Sequence, residues 1–213
     1  MRDLQVVAID GPSGSGKSTV ARHLAERLGL DYLDTGAMYR GVAFACLRRS
    51  IDPDDVEPVG RVAEQVELSV ADGVVTVDGV DASIEIRGPE VTRAVSAVAA
   101  NPVVRKEMVR RQREWIEKHG GGVVEGRDIG AVVWPDANPK VYLTARLAVR
   151  ADRRHKEVED LEYERVAADM AARDTVDSTR EASPMQLADG AIVIDTTDHS
   201  IDEVVALVME HVQ

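Results

Sequence analysis

The chain has 213 residues, enough for one globular domain with a buried core, and its 44% hydrophobic and 30% charged residues are ordinary for a folded protein. With 38 acidic residues against 26 Lys and Arg the net charge is −12, which excludes a basic nucleic-acid-binding surface. There is no apolar run of the roughly 18 residues that a membrane span needs, and the single cysteine, Cys46, closes no intramolecular disulfide, so a reducing compartment is expected.

Residues 1–9 (MRDLQVVAI) carry Asp3 and lead straight into a motif, so no signal peptide is read and a cytoplasmic location is expected. Residues 4–9, apolar apart from Gln5, predict a buried parallel strand. A Gly- and Ser-rich turn covers Asp10 to Ser18. Val20, Leu24 and Leu28, flanked by Ala21 and Ala25, then recur at helical spacing, with Gly29 as the stop. Strand, glycine loop and helix make the first half of a βαβ unit. A second helix is expected over 36–49 and a short one after Pro53 and Asp54. From 66 to 82 the pattern changes to short β-branched runs punctuated by Ala71-Asp72-Gly73 and Asp78-Gly79. That predicts a two- or three-stranded antiparallel excursion outside the main sheet. Residues 89–100 read as helix. Asn101 as N-cap and Pro102 as first helical residue start another, which runs to about His119 and stops at Gly120-Gly121-Gly122. Strands begin at Val123 and at Lys140 (KVYLT). Residues 146–173 predict two charged helices with a break near Asp160. AIVID (191–195) is a last buried strand, and Ser200 with Glu203 forms a capping box for the terminal helix. Strands alternating with helices predict an α/β fold, a central parallel sheet flanked by helices.

The charge is uneven. Residues 51–86 hold ten acids and one base, and residues 181–213 hold seven acids and no Lys or Arg. The rest of the chain is therefore mildly basic, as expected of a local anion site inside an acidic shell.

Gly11-Pro12-Ser13-Gly14-Ser15-Gly16-Lys17-Ser18 matches G-x-x-x-x-G-K-[ST] in full, between a strand and an amphipathic helix. Glycines let the backbone curl so that successive N–H groups face phosphate oxygens. The helix N-terminus adds its dipole, Lys17 reaches the β and γ phosphates, and Ser18 is the Mg²⁺ ligand. Residues 11–19, with Thr19 last, are thus the expected ATP site. No N-K-x-D motif accompanies the loop, so a GTPase is not indicated. Asp195, ending AIVID, imitates the acid of an ATPase motor, but few residues follow it and a core strand before the last helix is the favoured reading. The five His and Cys46 show no ligand or nucleophile spacing.

LDTGAMYR (33–40), RRQR (110–113), EGRDIGAVVWPDA (125–137) and RDTVDSTREASP (173–184) resemble the signatures of bacterial cytidylate kinases, P-loop kinases of nucleoside monophosphates. The resemblance runs over essentially the whole chain. It implies a P-loop kinase fold with a core of about 1–50, 89–145 and 174–213, an antiparallel insert of about 60–88, and a helical lid of about 146–173. It implies transfer of the γ-phosphate of ATP, with Mg²⁺, onto CMP or dCMP. Arg40 and Arg127 would grip the acceptor phosphate. Asp128, Arg180, Arg105 and Ser96 would face the cytosine, whose exocyclic amine is a donor that suits an aspartate. Asp177 and Arg173 would hold the ribose, and Thr35, Gly36 and Tyr39 would line the acceptor pocket. Asp34 would hold a Mg²⁺-bound water or Lys17.

Arg150, Arg153 and Arg154 share one helix face and resemble lid arginines that would reach the transferring phosphoryl group, with Lys17 and Arg127 completing the catalytic set. The alternative is a solvated basic face paired with Glu157 and Glu159. Arg110, Arg111 and Arg113 read as structural or solubilising. Thr35 and Glu125 depart from a more usual serine and aspartate. Other readings stay open at this point: a kinase of another small acceptor, or an ATP-sensing module. No exposed apolar stripe is evident, so a monomer is expected.

Overall fold

The structure, a computed structural model, describes residues 4–71, 73–157, 162–180 and 184–212. In chain order its elements are β1 (Gln5–Asp10), α1 (Lys17–Leu28), β2 (Tyr32–Asp34), α2 (Thr35–Arg48), α3 (Val56–Gln65), β3 (Leu68–Ala71), β4 (Val74–Val77) and β5 (Val80–Asp81). There follow α4 (Pro89–Ala100), α5 (Pro102–His119), β6 (Gly121–Glu125), β7 (Lys140–Thr144), α6 (Leu147–Glu157), α7 (Tyr163–Thr179), β8 (Ile192–Asp195) and α8 (Ile201–Met209). The chain divides into two compact units, one of residues 1–32, 116–179 and 183–213, the other of residues 33–115 and 180–182.

The first unit is built on a parallel sheet of order β2-β6-β1-β7-β8. β1 lies between β6 (Val7 opposite Val123) and β7 (Ile9 opposite Val141), which explains its unbroken apolar run: both faces are covered. Val7, Ile9, Val123, Val141 and Leu143 pack with Val20 and Leu24 of α1 and Val204, Val205 and Val208 of α8. Each such side chain, fully buried, contributes roughly 1.5–3 kcal/mol. Gly29 ends α1 in the left-handed conformation, and the Ser200–Glu203 capping box opens α8. β2 escapes sequence reading because a three-residue strand is too short to show a period.

In the second unit the Asp34 carboxylate accepts the Ala37 N–H at 2.9 Å and caps α2. The antiparallel excursion is a three-stranded sheet, β3-β4-β5. Its β4–β5 turn is Asp78-Gly79 with both residues at positive φ, as a two-residue hairpin of this twist requires. This sheet falls within residues 60–88, and the second unit extends on both sides of it. Asn101 caps α5 through Val103 N–H and Val104 N–H.

Some boundaries differ from expectation. Only Gly120 stops α5, because Gly121 and Gly122 already pair with β1. The second charged helix runs past 173 to Thr179, so Arg173 and Asp177 share one helix. The expected break near Asp160 lies outside the described residues. Asp195 is exposed and accepts the Thr197 N–H, a local turn contact that leaves it a strand-end residue. Arg110 and Arg113 are exposed, whereas Arg111 turns inward and donates to Val66 O and Ala63 O at 2.9 Å each, closing the C-terminal end of α3. Arg111→Ala leaves those carbonyls without that donor. It is expected to lower stability by about 1–2 kcal/mol and Tm by a few degrees, with kcat unchanged, as thermal unfolding beside a rate assay would show.

Candidate active site

The phosphate loop joins β1 to α1. Gly11 has φ 143°, and a Cβ there would lie 2.0 Å from Leu143 O, so only glycine lets the loop leave β1 against β7. Gly14, at φ 73°, would meet Arg150 O at 2.9 Å. The loop is held from outside by its carbonyls. Ser13 O accepts from Arg150 Nη1 (3.1 Å), Gly14 O from Arg153 Nη1 (3.4 Å) and Ser15 O from Thr196 Oγ1 (3.0 Å). In a trans peptide the N–H points opposite to the C=O. Pinning these three carbonyls therefore turns the amides of Gly14, Ser15 and Gly16 to the other side, the arrangement that cradles an anion.

Lys17 is buried and donates to Pro12 O at 2.7 Å. Burial, with the Arg127 guanidinium nearby, lowers its pKa to about 7. Ser18 Oγ donates to Glu125 Oε2 at 3.0 Å, and Tyr32 Oη donates to the other oxygen of the same carboxylate. Glu125 ends β6, the strand beside β1, so sheet register alone brings it to the loop. Thr19 is exposed on the first turn of α1.

After β6 the chain enters Gly126-Arg127-Asp128 and then a π-helical turn, Ile129–Val133. Arg127 Nε donates to Asp177 Oδ2 at 3.0 Å, and Arg173 Nε lies 4.0 Å from the same oxygen. Burial works against the charge of Arg127, yet the carboxylates of Asp177, Glu125 and Asp174 together offset it and hold the group above its usual value. Arg173, half-buried, is lowered to about 10 by desolvation and the neighbouring Arg127 charge. Asp128 is 5% exposed. Arg127, Asp128, Arg173 and Asp177, which are far apart in sequence, thus belong to one polar interior of the first unit.

Arg150 is buried, bound by Ala145 O (2.9 Å), Ser13 O and the Asp174 carboxylate (2.6 Å). Arg153 also reaches Thr196 O at 2.7 Å. Neither is a solvated surface charge. Arg154 does match that plainer reading, pairing with Glu157 at 2.7 Å.

In the second unit, Thr35 and Tyr39 are buried on α2 and Gly36 is half-buried. Arg40 Nη1 donates to Ile86 O and Thr92 Oγ1, at 2.9 Å each. Arg105 is 3% exposed, its guanidinium 5.7 Å from the centre of the Tyr39 ring, a cation–π contact. Ser96 and Arg180 are half-buried.

A family model described as cytidylate kinase matches residues 7–213. The chain belongs to the cytidylate kinase family. A cytidylate kinase from Mycolicibacterium paratuberculosis is 51% identical over 94% of this chain and 91% of its own length. One from Caldanaerobacter subterraneus is 45% identical over 97% of this chain and 94% of its own. Among solved structures, a gluconokinase from Sinorhizobium meliloti is 14% identical, covers 100% of this chain and 93% of its own, and superposes with a TM-score of 0.52. An uncharacterized protein from Eubacterium ventriosum, 12% identical over 99% of this chain and 98% of its own, gives 0.56. Both describe the fold alone.

This cytidylate kinase-family chain uses residues that motif reading did not single out. Thr196 and Asp174 support the loop and its arginines. Tyr32 orients Glu125, and Asp10 is buried directly before the loop. Asp174 falls within the RDTVDSTREASP segment and Asp10 is a lone acid ending an apolar strand, whereas Thr196 and Tyr32 lie outside every quoted motif.

Proposed function

We propose that this chain transfers the γ-phosphate of ATP to CMP or dCMP, giving ADP and the nucleoside diphosphate. The observation that carries the reading is the Arg127–Asp177–Arg173 group beside the buried Asp128, in the same unit as a complete phosphate loop. In the first unit, residues 11–19 hold the ATP phosphates. Arg127 holds the acceptor phosphate, Asp128 accepts the cytosine N4–H, and Asp177 with Arg173 holds the ribose. In the second unit, Arg40 and Arg105 are cationic contacts for the acceptor, with Ser96 and Arg180 toward its base. Thr35, Gly36 and Tyr39 shape that side.

The reaction needs no covalent intermediate. An oxygen of the acceptor phosphate attacks the γ-phosphorus in line as its bond to the bridging oxygen of ADP breaks. The protein aligns the two and neutralises charge. Lys17 supplies one positive charge at the β and γ phosphates. Residues 146–173 act as the lid, and Arg150 and Arg153 bring further charge to the transferring group as it closes.

Mg²⁺, when bound, neutralises phosphate charge. Ser18 and Glu125, a hydroxyl and a carboxylate 3.0 Å apart at the loop, are the hard oxygen donors it takes. They fit it better than Asp34, whose carboxylate caps α2. We also read the enzyme as a cytoplasmic monomer, on its single buried cysteine and on exposed apolar side chains such as Ile84 and Leu187 that are spread along the chain. Sedimentation at the mass of one chain is the check.

An ADP-release assay with CMP, dCMP, UMP, AMP, GMP and shikimate tests the substrate. CMP and dCMP are expected to exceed every other acceptor by at least about 100-fold in kcat/KM, because a site built for one hydrogen-bonding edge leaves buried groups unpaired with another. Faster turnover of UMP, AMP or shikimate would overturn the assignment.

A further inference from the structure

A buried carboxylate that this mechanism leaves unused is that of Asp10. It is the last residue of β1, immediately before Gly11, and is 4% exposed. Its Oδ1 accepts the Ile129 N–H at 2.8 Å and its Oδ2 accepts the Gly130 N–H at 2.9 Å. These are the first two amides of the π-helical turn that follows Asp128. The first amides of any helical turn have no acceptor within it. Asp128 stands at the N-cap of this turn but makes no capping bond. A strand 119 residues earlier supplies the cap instead.

A π turn is a rare geometry that needs outside support, and rare turns gather at functional sites. Here the support is rigid. β1 is laddered on both sides, Asp10 itself lies opposite Tyr142, and Gly126 N–H continues the ladder onto Ile9 O at 3.0 Å. The chain segment carrying Arg127 and Asp128 is therefore fixed at both ends by β1, by Ile9 before it and by Asp10 after it.

Building on the reading of Asp128 above, we propose that Asp10 is a positioning residue for acceptor recognition: it sets the backbone that carries Asp128, from the strand that launches the phosphate loop. The arrangement is not the cheapest way to cap a turn. It buries a carboxylate within the field of Asp128, with Lys17 as the counter-charge, and burial together with the neighbouring Asp128 charge raises Asp10 to about 6. A hydroxyl or amide would hold one amide without placing two carboxylates together. A carboxylate holds both, and it links the loop that binds the donor to the turn that reads the acceptor.

The test is Asp10→Asn, which keeps the shape but turns an NH₂ donor toward one of the two amides. KM for CMP is expected to rise about tenfold or more, and the CMP-over-UMP ratio to fall by a similar factor, while the ATP Kd moves less than about twofold. A merely structural role would lower active protein and kcat and leave both the KM for CMP and the ratio in place. That outcome overturns the proposal. Amide exchange in the wild-type protein tests it without a variant. Saturating CMP is expected to slow exchange at Ile129 and Gly130, and a non-hydrolysable ATP analogue is not. Unchanged exchange with CMP shown to be bound by titration also overturns it. The wild-type acceptor ratio, measured alongside, reports separately on the reading of the acceptor.

Discussion

Replacing Lys17 with methionine is expected to reduce phosphoryl transfer by on the order of 10²–10³-fold, the loss that follows removal of one donor aimed at developing charge. The empty variant is expected to be no less stable than the wild type, and more stable at pH 6. The reason is the burial of Lys17, whose pKa falls to about 7 in the folded chain from an ordinary 10.5. Between pH 7 and 10.5 the unfolded chain holds a proton that the native chain lacks, so native stability rises with pH across that window. Below pH 7 both hold it, and the native state carries a buried charge. Methionine removes that penalty, offset in part by the lost bond to Pro12 O. The gain in Tm should be largest below pH 7 and shrink above it.

The same lysine predicts a proton signal. At pH 8 most of the empty protein has neutral Lys17. ATP phosphates favour the ammonium form, so binding should take up nearly one proton. Calorimetry in two buffers of different ionisation enthalpy reads that number. Zero uptake, or equal uptake in Lys17→Met, would show that Lys17 does not meet the phosphates.

How much of this was legible in the sequence depended on whether the signal was local. The phosphate loop, the Asn101 and Ser200 caps and the Asp78-Gly79 hairpin were readable because each is decided by a few adjacent residues. The parallel order of the sheet was readable only as a class. β2 left no period, and the π turn after Asp128 left none either, since its acceptors come from β1. Asp10, Tyr32 and Thr196 act across 90 or more positions, to Ile129, Glu125 and Ser15, and Asp174 acts from one helix onto another, and no spacing rule reports such contacts. The arginines show the same division. Arg154 pairs three residues along its own helix, as the pattern allowed, while Arg150 and Arg153 fold back onto carbonyls of residues 13 and 14.

Asp128→Asn is the second large effect, and it separates reading a base from merely holding a loop. Cytosine presents an N4 donor where uracil presents an O4 acceptor. A buried carboxylate accepts from the first and repels the second. An asparagine amide can rotate to offer either edge, so the variant keeps volume and loses discrimination. Its kcat/KM for CMP is expected to fall about 100-fold while that for UMP holds or rises, with the ATP Kd unchanged. The loss should sit in the acceptor alone because Asp128 lies in the turn after β6, whereas the ATP site proposed above is residues 11–19 after β1. A second consequence follows inside the protein. Removing the Asp128 charge relieves the repulsion on Asp10, whose pKa should fall from about 6, a shift that carbon NMR of the Asp10 carboxyl would record. Equal losses for CMP and UMP, or an ATP Kd that moves as far as the KM for CMP, would place Asp128 outside the base-reading contact and leave it a structural residue of the turn.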